Sequence, residues 1–541
     1  MPSSEATPSA TSDVDFDAIV VGGGMGGIYA VYRLQKDGLT VQAFEGGADV
    51  GGVWFHNKYP GARVDVEGAY YSFYFDQNVY DEWEWKERYP AQPEIQAYLS
   101  FVADKHDIKA RFQFETWVNG AQWDPEHNRY TVTTDKGDSF TCRYLVMTTG
   151  QLSKARKPQF EGLDDFQGEW VQTAHWPDRP VDTIGKRIAV IGTGSSGVQA
   201  IPLLAEDASH LYVFQRTANY GVPANNGPFD KETYDLVAKD LEGAWGKLLA
   251  HPAGATVPMG TRPGTEMTAE EQQAQLDKHW EFGGHAMNAV FKDQGTTQST
   301  NDIVSNYVRG KVREIVKDPK VADDLVPTEY PIGSRRLGVQ TRYYETYNRD
   351  NVTLINVKKD PIVKITPTGI QTENGHFEVD LIVFALGFEA FTGALDSANI
   401  RNENGEQPSD KWRRGPKTFL GLMTNGFPNL FIITGPGSPS VLANMVLSNV
   451  QHLDFAADAI AYMESRGYTR IEPTVEAQDE WSDHVAEVAS KLIRKNVDNY
   501  MVHVNHDDGT RVFKPYAGGI PSFVAACEDV VKNDYKGFEF A

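Results

Sequence analysis

The chain has 541 residues, 40% of them hydrophobic and 11% aromatic, with a formal net charge of −23 and two cysteines, Cys142 and Cys527. This length exceeds one hydrophobic core and calls for roughly two to four domains. The charge, with no basic block to offset it, excludes nucleic acid as a partner, and the want of an apolar run of roughly 18 residues excludes a membrane span.

Residues 1–15 are rich in Ser, Ala, Thr and Asp and lack the basic flank and apolar core of a signal peptide, so they read as a disordered leader on a cytoplasmic protein. The stretch "DFDAIVVGGGMGGIYAVYRLQKDGLTVQAFEGG" follows. It predicts a buried strand over 18–21, a turn, a helix over 28–34 and a second strand over 40–44. Gly22, Gly24 and Gly27 form G-x-G-x-x-G around Met25 and Gly26, and Glu45 stands 23 residues after Gly22. Glycines let the backbone approach a pyrophosphate, the helix N-terminus stabilises its charge, and the acid takes a ribose hydroxyl. A lone glycine motif is weak evidence, but strand, glycines, helix, strand and acid in register are specific for a dinucleotide.

The same design returns in "GKRIAVIGTGSSGVQAIPLLAEDASHLYVFQRTANY". A strand over 187–191 runs into Gly192, Thr193, Gly194, Ser195, Ser196 and Gly197, with Gln199 in the helix start. The next strand, 211–214, leads to Gln215, Arg216 and Thr217 where the first unit has its acid. An arginine there pairs with a 2′-phosphate that a carboxylate would repel, which favours NADPH over NADH; the plain alternative is a surface arginine. Two such units imply FAD on the acid-ended one and a nicotinamide nucleotide on the other.

After the second unit, Pro228 to Asp324 is rich in charge and helix formers and contains a capping box, Thr268 with Glu271. It reads as a helical insertion whose His279, Trp280 and His285 are packing residues, not a metal-ligand set. Neither cysteine belongs to a CxxC pair, so no zinc site and no redox-active dithiol is expected.

Directly after Glu45 comes "GGADVGGVWFHNKYPGARVDVEGAYYSFYF". Its Gly51, Gly52, Trp54, Tyr59, Pro60, Gly61, Arg63 and Asp65 resemble the GG-x-W-x-x-N-x-YPGA-R-x-D stretch of flavin-dependent Baeyer–Villiger monooxygenases. In "DFQGEWVQTAHWPDRP", Phe166, Gly168, Trp176 and Pro177 stand in register with the type I fingerprint F-x-G-x-x-x-H-x-x-x-W-P. Gln172 occupies the histidine position, and His175 comes three places late. "VMTTGQLS", "DLIVFALGFE" and "GPGSPSVLANM" extend the likeness, which spans about residues 15–540 and is nearest in pattern to phenylacetone, steroid and cyclohexanone monooxygenases.

The resemblance implies an α/β fold with two Rossmann-like dinucleotide-binding domains and a helical insertion. The expected division is FAD domain 16–155 and 390–541, NADP domain 156–225 and 330–389, and insertion 226–329, in a monomer or weak oligomer. It also implies that FAD, NADPH and O2 convert a cyclic, aromatic or bulky ketone to an ester or lactone through a flavin C4a-peroxide. A fixed cation beside the flavin would stabilise the peroxide and the anionic adduct, and arginine stays charged when buried. In "PIGSRRLGVQTRYYETYNRDNV" the family's catalytic arginine falls on Arg336 and the cofactor-touching basic residue on Arg335, with Asp65 as the carboxylate partner. Gly52, Val53, Trp54, Arg63, Tyr71, Val118, Gln151 and Met445 would lie on the FAD side. Tyr500 would replace a tryptophan on the NADP side, in a loop of about 495–515 expected to be mobile. Without the family these residues read as charge clusters, an interface salt bridge, a cap and core packing. Rival functions are oxygenation of amines or sulfides, an uncoupled NADPH oxidase, a disulfide reductase, which the unpaired cysteines oppose, and a non-catalytic nucleotide binder.

Overall fold

A computed structural model describes residues 14–505 and 508–541. The leader expected over 1–15 falls largely on residues 1–13, outside the described residues, as do residues 506–507 of the expected loop.

The first glycine unit forms the strand Phe16–Val21, the helix Met25–Lys36 and the parallel strand Val41–Phe44. Ala18, Ile19 and Val20 are fully buried, as the continuous apolar run demands of a parallel strand covered on both faces. On its other side Phe16–Val21 pairs with Ser139–Met147. That strand also takes Leu430–Ile432 and leads through the antiparallel strands Arg129–Thr134 and Val118–Asp124 to Ile400–Arg401. Residues far apart in the chain thus complete one sheet. The long helix Met445–Arg466 lies on Met25–Lys36, tied by Tyr29 Oη to Asp454 at 2.8 Å and by Arg33 to Asp454 and Asp458, each at 2.8 Å.

The second sheet runs Val352–Asn356, His210–Gln215, Arg187–Ile191, Leu381–Phe384 and Glu169–Gln172, all parallel. Part of the fingerprint stretch Asp165–Pro180 is therefore an edge strand, with Gln172 opposite Phe384. Its aromatic residues pack: Trp170 meets Phe384 edge-on at 5.8 Å, and Trp176 lies against the core under this sheet. His175 turns back through its amide to Gln172 O and sits 6.2 Å from the His56 ring.

The insertion leaves the second unit after Gly221–Pro223 and returns at Gly338–Gln340, which pair in parallel and close its base. It consists mainly of the helices Lys231–Ala238, Leu241–Ala250, Ala269–Phe282, Gln298–Ile315 and Pro319–Leu325. The Thr268–Glu271 capping box is formed in both directions. The segment expected as a mobile loop contains the hairpin Val502–Val504 with Arg511–Phe513. Among the described residues, no helix is long and apolar enough to cross a membrane.

Candidate active site

Both glycine turns lie at the C-terminal ends of central parallel strands, where open α/β sheets bind ligands. Gly22 and Gly192 adopt φ of +107° and +111°. Gly24 and Gly194 differ: both are extended, with φ of −73° and −75°, and head their helices without a side-chain cap. An added Cβ would meet nothing nearer than Gly52 Cα at 3.7 Å in the first case, and nothing within 4 Å in the second. The protein itself does not require glycine there. A methyl would instead fill the space in which a pyrophosphate meets the helix N-terminus, so both turns fit a dinucleotide.

Around the first turn, Gly51 donates its amide to Gly23 O at 2.8 Å, and Gly52 starts the short helix Val53–His56. Glu45 accepts from the amides of Gly23 (2.6 Å) and Gly47 (2.7 Å), with His56 Nε2 at 3.1 Å. Burial pushes its carboxyl up, but these donors outweigh burial and hold it below its ordinary value. Trp54 Nε1 donates to Tyr71 Oη at 3.2 Å, and burial pushes the Tyr71 hydroxyl up to about 12. Gln151 donates to Thr434 O, while its own Oε1 and Thr434 Oγ1 are buried without partners. Such atoms call for a ligand or water to complete them, and a flavin's polar edge would do so.

Met445 begins its helix behind the Asn444 cap, and Val118 opens a strand with its side chain buried. Arg63, expected at the cofactor, donates through Nη1 to Glu87 and to Tyr89 O. The half-exposed Trp117 indole, which sequence reasoning passed over, lies on Gly46 beside Glu45. A sequence signal exists only in the glycine pair 46–47, too common to point to it.

At the second turn, Ser195 and Ser196 open the helix Ser195–Asp207, and Thr193 Oγ1 donates to Thr217 O at 3.3 Å. Arg216 is exposed and makes no ion pair among the described residues; it borders a surface cleft of about 220 Å³ together with Gln215, Thr217 and Lys358. Gln199, in the first turns of the helix Ser195–Asp207, spans the two units. Its amide accepts from Tyr59 Oη at 2.7 Å and donates to Arg63 O at 3.0 Å, joining the helix of the second unit to the loop of the first. Arg335 stacks over Tyr330 at 4.6 Å and donates to Asp498 O, with its Nε buried and unpartnered.

Arg336 and Asp65 meet as a two-pronged pair. Nε reaches Asp65 Oδ2 at 2.8 Å and Nη2 reaches Oδ1 at 2.7 Å, while Nη1 donates to Val441 O at 2.7 Å. Burial by itself pushes the Asp65 carboxyl up; Arg336 and His285 beside it outweigh burial and hold it well below the usual carboxylate range. Burial likewise disfavours the Arg336 cation, and Asp65 more than restores it. The result is a fixed positive charge. Guanidinium carries five N–H groups and three are engaged, which leaves one on each terminal nitrogen. Tyr500 shares this neighbourhood: burial raises its hydroxyl above the ordinary value, partly countered by Arg336. His285, read from the sequence as packing, lies at Asp65 with Nε2 3.0 Å from Oδ2. Nothing local in the sequence marks it, since Asp65 is reached only through the fold.

Two glycine-turn units with a partly buried cation, Arg336, fixed to a loop of the first define a two-dinucleotide oxidoreductase. A family profile described as pyridine nucleotide-disulphide oxidoreductase matches residues 19–226; both cysteines here are free and buried. A Baeyer-Villiger monooxygenase from Pseudooceanicola batsensis is 38% identical over 97% of this chain and 96% of its own. A phenazine N-monooxygenase from Lysobacter antibioticus is 36% identical over 97% and 96%. A solved structure described as an oxidised steroid monooxygenase bound to NADP superposes with a TM-score of 0.93 at 43% identity, covering 97% of this chain and 99% of that one. The chain belongs to the Baeyer–Villiger monooxygenase family.

Proposed function

We propose that the protein is an FAD-containing, NADPH- and O2-dependent monooxygenase that converts ketones to esters or lactones. The observation that carries this is the Arg336–Asp65 pair, a cation held at three points with two N–H groups left to donate. The net reaction takes ketone, O2, NADPH and a proton to ester, NADP⁺ and water. Bound FAD, reduced by NADPH, supplies the electrons that activate oxygen.

This chain's own residues do the rest. Gly22–Gly27 and Glu45 hold the first nucleotide; Gly192–Gly197, Arg216 and Thr217 hold the second, with Arg216 on the 2′-phosphate. Arg335 lies on the same side, beside Tyr330, and its charge suits a phosphate. Trp54, Tyr71, Gln151 and Met445 line the first site. As the ketone carbon is attacked, negative charge grows on its oxygen, and the free N–H groups of Arg336 stabilise it more than they stabilise the neutral ketone. Asp65 keeps the guanidinium charged and fixed, so little reorganisation accompanies that step. Likeness to a steroid monooxygenase supports a cyclic, aromatic or polycyclic ketone. NADPH use and two free cysteines support a cytoplasmic setting, and we take the protein as a monomer or weak oligomer.

Arg336→Ala is expected to retain FAD and its reduction by NADPH while ester formation falls by about 100-fold or more. Ester yield equal to that of the unchanged protein would overturn the assignment. N-oxygenation of an aromatic amine is a second reading, favoured by the phenazine N-monooxygenase relative. Product analysis with a ketone and a phenazine, side by side, separates the two.

A further inference from the structure

Asp65 has more acceptor capacity than Arg336 uses. A carboxylate offers about four lone-pair sites, and among the described residues its side-chain hydrogen bonds come from Arg336 Nε and Nη2 alone. A buried ion pair holds its geometry well only when the remaining lone pairs also find donors. The group within reach is His285, whose Nε2 lies 3.0 Å from Oδ2. The approach is close but bent, and that nitrogen is otherwise buried without a hydrogen-bond partner.

The chain is built to bring the imidazole there. Gly283, φ +79°, ends the helix Ala269–Phe282, and Gly284, φ +57°, starts the tight turn Gly284–Asn288. A Cβ on Gly283 would fall 2.8 Å from the carbonyl oxygens of Pro223 and Ala224, and one on Gly284 would fall 2.2 Å from Tyr89 Oη. Only glycines allow the insertion to press this closely on the base strand and on Tyr89, and His285 is the next residue. Asn288 Nδ2 lies 3.3 Å from His285 Nδ1. With Nδ1 accepting from that amide, the ring hydrogen of a neutral imidazole sits on Nε2, facing Asp65.

We infer that His285 is a positioning residue of the Asp65–Arg336 pair: its Nε2–H occupies the Oδ2 lone pair that Arg336 leaves and holds the carboxylate, and through it the guanidinium, in one orientation. Three separate segments then share one site, Asp65 from the first nucleotide unit, Arg336 from the return to the second, and His285 from the insertion. The insertion is thereby tied to the reaction centre by a polar contact as well as by its apolar core. The geometric part stands alone; the consequence for oxygenation rests on the function proposed above.

The test has two arms. In holoenzyme labelled with ¹⁵N-histidine and assigned with His285→Gln, the His285 ring is expected in the Nε2–H form, with its Nε2 resonance moved by Asp65→Asn. An Nδ1–H ring, or no response to Asp65→Asn, overturns the inference. In the second arm, ester formed per NADPH consumed is compared for His285→Leu, which fills the space, and His285→Gln, whose amide nitrogen takes the place of Nε2. His285→Leu is expected to lose about tenfold in coupling while FAD content and flavin reduction stay within about twofold and the melting temperature within about 3 °C, and His285→Gln to recover most of the loss. Full coupling in His285→Leu, or no recovery in His285→Gln, overturns it as well. If the unchanged protein yields no ester from any ketone, the functional reading falls, and the ring tautomer still decides the role of His285.

Discussion

At Gly27 an added Cβ would fall 1.9 Å from Gly22 O, and at Gly197 2.3 Å from Gly192 O, because each helix crosses its own strand at that point. At Gly194 the same atom would meet nothing within 4 Å. One motif therefore contains glycines of two kinds, one needed by the fold and the other by the ligand. Gly27→Ala is expected to lower the melting temperature sharply and to yield protein without flavin. Gly194→Ala should melt with the unchanged protein yet raise the KM for NADPH by about tenfold, since a methyl stands where phosphate oxygens approach the helix amides. Thermal melts and steady-state kinetics on the two variants check both outcomes; a Gly194→Ala enzyme with an unaltered KM would remove the second turn from the cofactor site. The glycines, Glu45 and Arg216 were legible in the sequence because each belongs to a spaced motif, and Arg336 and Asp65 were reached through the family resemblance. His285 was not, because an imidazole's role is set by what lies 3 Å away, and that was a carboxylate from another segment.

At the scale of elements, the C-terminal hairpin Val502–Val504 with Arg511–Phe513 is followed by Lys514, which ties it inward. The Lys514 amide donates to Met501 O, its carbonyl accepts from Gly437, and its ammonium donates to Ala390 O over the Phe391 ring at 4.7 Å. No carboxylate pairs with it among the described residues. Burial, aided by the nearby Arg156, lowers its pKa from 10.5 to about 8. Below pH 8 both the folded and the unfolded chain carry the proton, and the folded state bears the full cost of a buried charge. Between about 8 and 10.5 only the unfolded chain keeps the proton, so stability rises with pH across that window. Lys514→Met is accordingly expected to raise the melting temperature at pH 7, with the gain shrinking as pH climbs from 8 to 10.5. A gain that does not vary with pH would mean packing, not charge, is responsible. The sequence pattern marked this region only as a loop unlike its relatives. Glu169–Gln172, inside the expected NADP domain 156–225, pairs along Leu381–Phe384, a distant partner that no local pattern reveals.

At the scale of the whole molecule, the two nucleotide units must hold their cofactors in register for electrons to pass. Tyr59 and the Arg63 carbonyl, on the first unit, both grip the Gln199 amide on the second, and Gly61 lets the loop approach, since a Cβ there would fall 2.4 Å from Gln199 O. Gln199→Ala removes both bonds without touching either glycine turn. It is expected to keep FAD bound and to slow flavin reduction by NADPH about tenfold, because small misplacements of reacting groups cost large factors in rate. Stopped-flow reduction checks this, and an unchanged rate would show the grip to be dispensable. Gln199, expected at the nucleotide from its place in the helix start, thus also joins the two units.

Arg336 and Asp65 became candidates only through the family resemblance; the sequence by itself determined the two strand–glycine–helix units, their different terminal residues and the capped helical insertion. These are local signals: periodicity, turn chemistry and spacing act within about 30 residues, the size of a βαβ unit. Only the tertiary structure decided which distant strands complete each sheet, that Gln199 joins the units, that Arg63 pairs with Glu87, and that His285 reaches Asp65. Those outcomes depend on which side chains the packed chain brings within hydrogen-bond distance, and a contact between segments hundreds of residues apart leaves no trace in the order of either one.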